Sequence, residues 1–166
     1  MNGFITTTVP AFVSGSSYGL TVDAFNVIVA STIDTGVVNS LLFNGTNYVT
    51  ANGWPVTVTT AGIVNPTAIT VDGRLNIWIP DNGNAASGGS VSELNYSGND
   101  PLSPPTGYQK SSAFLHSGRA TAIDQAGNVW VAGDGNNFIT EIVGAAVPIY
   151  QPYAAGLANG RFQQMP

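Results

Sequence analysis

Residues 71–83 read VDGRLNIWIPDNG, and residues 123–135 read IDQAGNVWVAGDG. The two stretches align without a gap, and three residue types recur at the same places in both. The recurring residues are Asp72 and Asp124, Asn76 and Asn128, and Trp78 and Trp130. A match of this length between distant parts of one chain indicates an internal repeat.

A weaker copy of the same pattern lies upstream. Val22-Asp23 matches the start of the repeat and Asn26 matches its asparagine, across a turn that is one residue shorter. In this alignment Ile28 replaces the tryptophan. Because the three aspartates are 49 and 52 positions apart, the repeating unit has about 50 residues.

Each unit is predicted to consist of short β-strands. Apolar β-branched residues alternate with small or polar ones, and Gly, Asn, Asp and Pro fill the intervening turns. A hairpin is predicted around each aspartate. Third strands are expected at residues 37–43, 90–95 and 138–143, and fourth strands at residues 4–9, 56–60 and 147–150. No segment shows helical periodicity.

Four short antiparallel strands in a unit of about 50 residues are typical of a β-propeller blade. The sequence therefore predicts an all-β chain of three four-stranded antiparallel blades. The expected blades cover residues 4–50, 54–100 and 112–150, and a tail follows at residues 151–166.

The repeat also resembles a known family. Residues 122–132, AIDQAGNVWVA, and the following residues 136–142 are similar to the repeats of bacterial NHL-type propellers, including virginiamycin B lyase-like proteins. The resemblance is strongest over residues 66–145. The segment from Pro148 onward looks like the tail after the last blade of many secreted members. The resemblance implies that the chain holds the last three blades of a ring of six or seven.

Three blades cannot close such a ring. An open arc leaves two sheet edges and two half-interfaces unpaired. The chain is therefore expected to be part of a larger propeller or to associate with itself. Two copies giving six blades would be the simplest closure, and head-to-tail stacking into a filament is the alternative.

The composition favours self-association over other partners. Charged residues make up 8% of the chain, against about 25% in ordinary soluble domains. Few charges are common in secreted proteins and in subunits that pack against copies of themselves, so a secreted protein is expected, its leader removed. The four cations, Arg74, Lys110, Arg119 and Arg161, form no basic patch for nucleic acid. No apolar stretch is long enough to insert into a membrane, and there are no cysteines.

The recurring residues have a structural and a functional interpretation. Asp23, Asp72 and Asp124 could form a ring of carboxylates that holds a cation, but a cap on each hairpin turn is the favoured interpretation. Trp78 and Trp130 are expected to pack between blades. Trp54 lies in a loop, where it could contact a ligand, although packing over a blade edge is favoured. The segments 81–84 and 134–137 are interpreted as turns.

His116 is the single histidine. The family resemblance implies a lyase chemistry that uses His, Glu and magnesium, which makes His116 and its neighbour Arg119 candidate site residues. No acidic partner lies near His116 in the sequence, and Glu93 and Glu141 recur as a structural pair would. No cofactor is predicted, and whether the chain is an enzyme stays open. The favoured hypothesis is a non-enzymatic extracellular binding and assembly module. A lyase and a subunit of an extracellular filament are the alternatives.

Overall fold

The computed structural model describes residues 16–22, 28–32, 35–57, 63–84, 88–96, 100–108, 115, 117–135 and 137–149. These residues form eleven β-strands and no helix. The strands form three small antiparallel sheets that follow one another along the chain, so the predicted all-β class is confirmed. No helix in this part of the chain is long and apolar enough to cross a membrane.

The first sheet contains β1 (Ser17–Val22), β2 (Ile28–Thr32), β3 (Val37–Phe43), β4 (Tyr48–Thr50) and β5 (Val56–Thr57). The first four strands pair in chain order. Strands β4 and β5 both lie along the outer edge of β3: β4 pairs with Leu41–Phe43 and β5 pairs with Val37–Val38.

The second sheet contains β6 (Thr70–Val71), β7 (Ile77–Asn84) and β8 (Gly88–Leu94). The third contains β9 (Gly118–Ile123), β10 (Val129–Gly133) and β11 (Ile139–Ile142). In both sheets the middle strand is the second in sequence. Each sheet is therefore a meander, and among the described strands β11 lies at the edge of the third sheet.

The register of the pairs makes the three sheets equivalent position by position. The strands before and after each hairpin meet at Val22 and Ile28, at Val71 and Ile77, and at Ile123 and Val129. Each pair is separated by the same number of residues, so no gap is needed in the first copy. Val29, and not Ile28, therefore takes the place of Trp78 and Trp130. The predicted replacement by Ile28 was wrong because it aligned asparagines by identity and ignored strand register. Asp23 and Asn26 lie outside the described residues.

The predicted fourth strands are placed differently. Residues 56–57 pair with the first sheet, and not with the sheet that follows them, where they were expected. Residues 4–9 and 58–60 lie outside the described part of the chain, and residues 147–149 form no strand. In the second sheet the outer position is taken by two isolated bridges to β8, at Pro101 and at Tyr108.

Two apolar cores hold the sheets together. The first lies between the first and second sheets and joins Val38 and Val56 to Ile77, Ile79 and Leu94. The second lies between the second and third sheets; its members include Trp78, Val91, Leu115, Val129 and Val131. Alternate residues of β7 therefore face opposite sheets, as the period of a β-strand requires. Strand β7 is therefore covered on both faces.

A left-handed residue recurs in the hairpins of the second and third sheets. Gly127 has φ +81° three residues after Asp124, and Leu75 has φ +70° three residues after Asp72. Glycine adopts this region without steric cost, whereas leucine rarely does. A Cβ atom at position 127 would also press on the carbonyl oxygen of Ala146. Glycine at position 127 therefore permits both the left-handed backbone and the close approach of Ala146.

Candidate functional site: the open face of the third sheet

Asp72 and Asp124 bind the backbone of their own hairpins. Asp72 Oδ1 accepts hydrogen bonds from the amides of Arg74 (2.8 Å) and Asn76 (2.9 Å). Asp124 Oδ1 accepts the same pair from Ala126 (2.8 Å) and Asn128 (2.9 Å). Asx side chains that accept from amides two residues onward stabilise tight turns. The described part of the chain contains no cluster of His, Cys, Asp and Glu that could hold a metal ion.

The second oxygen of each aspartate links the hairpin to the tryptophan. Trp78 Nε1 donates to Asp72 Oδ2 at 3.4 Å, and Trp130 Nε1 donates to Asp124 Oδ2 at 2.9 Å. The indole hydrogen bond is the main reason why the pKa of Asp124 falls to about 2. The Asp-Asn-Trp repeat therefore encodes one local unit, a capped turn that fixes the indole ring on one face of its sheet.

In the second sheet this face carries a further layer of contacts. The ring of Tyr108 stacks on Trp78, with 5.8 Å between the ring centroids and 20° between the planes. The Tyr108 hydroxyl donates to Glu93 Oε2 at 2.8 Å, and Asn76 Nδ2 donates to Glu93 Oε1 at 3.2 Å. Burial raises the pKa of Glu93, and the Tyr108 hydrogen bond opposes that rise. Burial, together with Glu93, raises the pKa of Tyr108 to about 12.

Glu141 repeats the position of Glu93. Glu93 pairs with Trp78 across the second sheet, and Glu141 pairs with Trp130 across the third. The next position on the same face is Val91 in the second sheet and Ile139 in the third, opposite Pro80 and Ala132. The two faces therefore present the same arrangement of tryptophan, glutamate and a branched apolar residue.

The two faces differ in what covers them. Trp78 and Val91 are both 0% exposed because the third sheet and Tyr108 lie over them, whereas Trp130 is 37% and Ile139 72% exposed. Phe138 and Val143, at the ends of β11, are also exposed. Large apolar side chains gathered on one face of a soluble protein mark an interaction surface more often than chance placement does. We call Trp130, Ile139 and Glu141 the open face.

The opposite end of the molecule also exposes apolar residues. Leu20 and Val22 are 66% and 54% exposed. Register places Val22 where the second sheet has Val71, next to the buried core between the first and second sheets. Leu20 correspondingly takes the place of Ile69, a member of that core. This face along β1 thus repeats a face that is covered elsewhere in the molecule.

The other predicted site residues that the structure describes do not assemble into one site. Arg119 donates from Nε to Asp134 Oδ2 at 2.8 Å, and both side chains are exposed; such pairs contribute about 0–1 kcal/mol. Trp54 is half-buried and packs against the first core. His116 lies outside the described residues. Asp81, interpreted as part of a turn, belongs to β7 and is fully buried, so that turn prediction was wrong.

The sequence pattern did not indicate Asp81 and Tyr108 as functional residues. Asp81 accepts hydrogen bonds from the Val64 amide (3.1 Å), Ser92 Oγ (2.8 Å) and Ser90 Oγ (3.3 Å). Burial raises its pKa to about 8. The third copy of the repeat has Gly133 at the position of Asp81, so comparison of the copies did not indicate a role for this aspartate. Tyr108 lies between two copies of the repeat, so only its spacing from Glu93 could have indicated a functional role.

An open groove of about 640 Å³ lies between the Tyr108 segment and β11. Its walls include Thr106, Tyr108, Leu115, Glu141 and Val143. Its volume is within the range of sites that bind small molecules or peptide segments. One wall belongs to the outer edge of the second sheet and the other to the strand that carries Ile139 and Glu141.

Comparison with solved structures identifies the fold. The chain is similar to the X-ray structure of a protein provisionally assigned as a gluconolactonase, with a TM-score of 0.56 and 13% identity, over 81% of this chain and 41% of that one. It is also similar to virginiamycin B lyase from Staphylococcus aureus, with a TM-score of 0.49 and 12% identity, over 78% of this chain and 43% of the lyase.

The predicted β-propeller fold is thereby confirmed. The chain spans less than half the length of either structure. No family model matches the sequence, and no curated protein matches it. At these identities the likeness concerns the fold alone.

Proposed function

We propose that this chain is a non-enzymatic binding and assembly module of the β-propeller type, with its three sheets acting as three blades. In this proposal the open face of one copy packs against the β1 face of a second copy. The observation that carries it is the exposure of Trp130 and Ile139 on a face whose counterpart in the second sheet is fully buried.

The junction between the second and third sheets supports this choice of occupant. There, the face bearing Trp78 and Val91 packs against the Val129 and Val131 face of the next sheet. Register relates the β1 face to that covering surface, because Val22 is equivalent to Ile123, which packs against the same core. A second copy therefore offers the open face a surface of the same type as the one that covers Trp78.

The contact is heterologous, since it joins different surfaces of the two copies. Heterologous contacts produce closed rings when the rotation closes and filaments when it does not. The chain matches 41% of a related propeller, so more than one arc is needed for a ring. A ring of two copies is the preferred form of the proposal, and an open filament is its alternative.

An extracellular location belongs to the proposal. A chain with 8% charged residues keeps its surface hydrated with amides and hydroxyls, as many secreted proteins do. Immunoblotting of the culture medium against cell fractions tests this point, and retention inside the cells would contradict it. Lyase chemistry at His116 stays a prediction, and unchanged lyase activity in His116→Ala would exclude it.

Light scattering coupled to size-exclusion chromatography tests self-association directly. The monomer has a mass of 17.1 kDa, and a two-copy ring would have twice that mass. Ile139→Lys and Leu20→Glu should each give monomers, because each places a charge in both junctions of the ring. Mixing the two variants should restore a dimer that has one native junction and one Lys–Glu junction.

Val49→Lys is the matched control. Val49 is an exposed apolar residue of β4, outside both proposed faces, so this variant should keep the wild-type mass. A folded wild-type monomer at all concentrations would refute the proposal. A mixture that stays monomeric would refute the assigned pairing of faces. Electron microscopy of the wild type separates rings from filaments.

A further inference from the structure

The outer edge of the third sheet differs from the outer edges of the other two. In the first sheet β4 pairs at Leu41 and β5 pairs at Val38. In the second sheet Pro101 pairs at Leu94 and Tyr108 pairs at Val91. The spacing between the two pairing positions is the same in both sheets. A later part of the chain thus pairs with the outer edge of each sheet at these two positions, in the second sheet through two isolated bridges with a turn at residues 104–107 between them.

The equivalent positions of the third sheet are Ile142 and Ile139. Strand β11 is an edge strand, and no bridge joins its outer side to any described residue. At Val91 the second sheet exchanges two backbone hydrogen bonds with Tyr108, of 3.2 and 2.8 Å. Because Ile139 has the register of Val91, its N–H and C=O point outward from the sheet edge, as those of Val91 do. An edge of this kind is a template for strand addition.

The side chains beside this edge also repeat. In the second sheet Trp78 supplies the stacking surface for Tyr108, and Glu93 accepts its hydroxyl. In the third sheet Trp130 and Glu141 face each other across the same register pair. Trp130 and Glu141 are both exposed, whereas Trp78 and Glu93 are buried. The third sheet thus contains the two protein groups of a tyrosine site.

We propose that β11 binds a peptide segment that carries a tyrosine. The tyrosine residue pairs antiparallel with Ile139 at the edge of the sheet, as Tyr108 pairs with Val91. Its tyrosine ring stacks on Trp130 and its hydroxyl donates a hydrogen bond to Glu141. The groove between Tyr108 and β11 leaves room beside the bound segment for side chains on the opposite face. The peptide and a second copy can occupy the open face at the same time, because Tyr108 and the third sheet cover Trp78 together.

A synthetic peptide with the sequence of residues 100–108, DPLSPPTGY, is the probe, since that segment occupies the equivalent edge of the second sheet. The peptide, blocked at both ends, is titrated into the ¹⁵N-labelled full chain and followed by NMR. The indole signal of Trp130 and the amides of Ile139 and Glu141 should shift in a saturable manner. The indole signals of Trp54 and Trp78 should not.

Two substitutions test the tyrosine contact. A peptide with Tyr108→Phe lacks the hydroxyl and should bind about tenfold more weakly, as expected for loss of a hydrogen bond to a charged acceptor. In the Glu141→Leu protein the two peptides should bind equally, because the acceptor is gone. Equal binding of both peptides to the wild type would overturn the tyrosine assignment.

The Leu20→Glu protein separates this site from the self-association proposed above. That substitution lies in the first sheet, so the variant should still bind the peptide even as a monomer. Absence of any Trp130 shift at millimolar peptide would overturn the proposal. So would slow hydrogen exchange of the Ile139 amide without peptide, because the edge would then already be filled by the tail of the chain or by a second copy.

Discussion

Trp130 repeats the position, the strand register and the indole hydrogen bond of Trp78, yet it is partly exposed whereas Trp78 is fully buried. The two residues make the same local contact with an aspartate. They differ in what lies beyond the ring. The sequence repeat therefore determines the local unit, and the presence of a neighbouring sheet determines whether its apolar face is covered.

This difference predicts unequal effects of the same substitution. Trp78→Ala should lower the free energy of unfolding by about 3–5 kcal/mol, the usual cost of emptying a packed aromatic site. Trp130→Ala should cost roughly 1–2 kcal/mol in the monomer, because part of the ring is already in water. Urea unfolding of both variants measures the difference, with Trp78→Phe in reserve if Trp78→Ala does not fold. Equal losses would mean that Trp130 is as buried as Trp78.

Protein concentration should change the difference in stability between the wild type and Trp130→Ala. If a second copy covers the open face, wild-type stability rises with concentration because association favours the folded chain. Thermal unfolding over a hundredfold range of concentration should show a rising wild-type midpoint and a constant midpoint for Trp130→Ala. Parallel behaviour of the two proteins would remove Trp130 from the interface.

The sequence predicted the hairpins well because their determinants are local. An aspartate, a turn and an asparagine lie within five positions, and Asp72 Oδ1 and Asp124 Oδ1 accept hydrogen bonds from amides inside that span. The placement of residues 56–57 could not be predicted in this way. Strand β5 pairs with Val37 and Val38, and nothing in a short alternating stretch states which neighbouring sheet it will join.

The buried polar residues were hidden for a related reason. The letters DNGN at residues 81–84 are typical of a turn, but β7 continues through them because β8 pairs with it at Asp81 and again, after a register shift, at Asn84. Asp81 is buried by residues 63–66, which approach from the preceding connection. Tyr108 acquires its role from Trp78 and Glu93, in strands far from it in sequence. Both roles depend on tertiary contacts, which the local pattern does not contain.

Two glycines with similar backbone angles should respond differently to substitution. Gly127 and Gly144 have φ +81° and +63°, but a Cβ at Gly127 meets the Ala146 carbonyl and one at Gly144 meets nothing within 4 Å. Gly144→Ala should cost about 1 kcal/mol, the strain of a left-handed alanine. Gly127→Ala should cost about 1–3 kcal/mol more, because the Gly127–Ala146 backbone hydrogen bond of 2.9 Å must shift as well. Denaturant melts give the unfolding free energy of both variants, and the difference between them isolates the clash. Equal costs would exclude the clash.

The hydroxyl of Tyr108 should contribute to stability through Glu93. Tyr108→Phe keeps the stacking on Trp78 and removes the donor at 2.8 Å. We expect a loss of about 1–2 kcal/mol, because a mostly buried carboxylate loses a hydrogen bond. Tyr48→Phe is the matched control: its ring packs on Phe43 at the surface, and the change should be below about 0.5 kcal/mol. Equal losses in the two variants would show that the Glu93 contact adds nothing.

Asp81 should make the fold less stable as the pH rises. Burial raises its pKa from 3.8 to about 8, so between these values the folded chain keeps a proton that the unfolded chain has released. Stability linked to this proton is complete below pH 4 and is lost as the pH approaches 8. The expected slope is negative and at most about 1.4 kcal/mol per pH unit. Urea unfolding at pH 5, 6 and 7 measures it.

Asp81→Asn isolates this effect from other titrating groups. Asparagine is close in shape to a protonated aspartate, and its carbonyl can still accept the Val64 amide. The variant should match the wild type near pH 4, exceed it in stability by a growing margin as the pH rises toward 8 and show a flatter dependence between them. Burial also raises the pKa of Glu93, so Glu93 makes stability fall with rising pH as well. Asp81→Asn does not remove that contribution. Parallel curves for wild type and variant would show that Asp81 is ionised in the folded chain, with Ser90, Ser92 and the Val64 amide compensating for its burial.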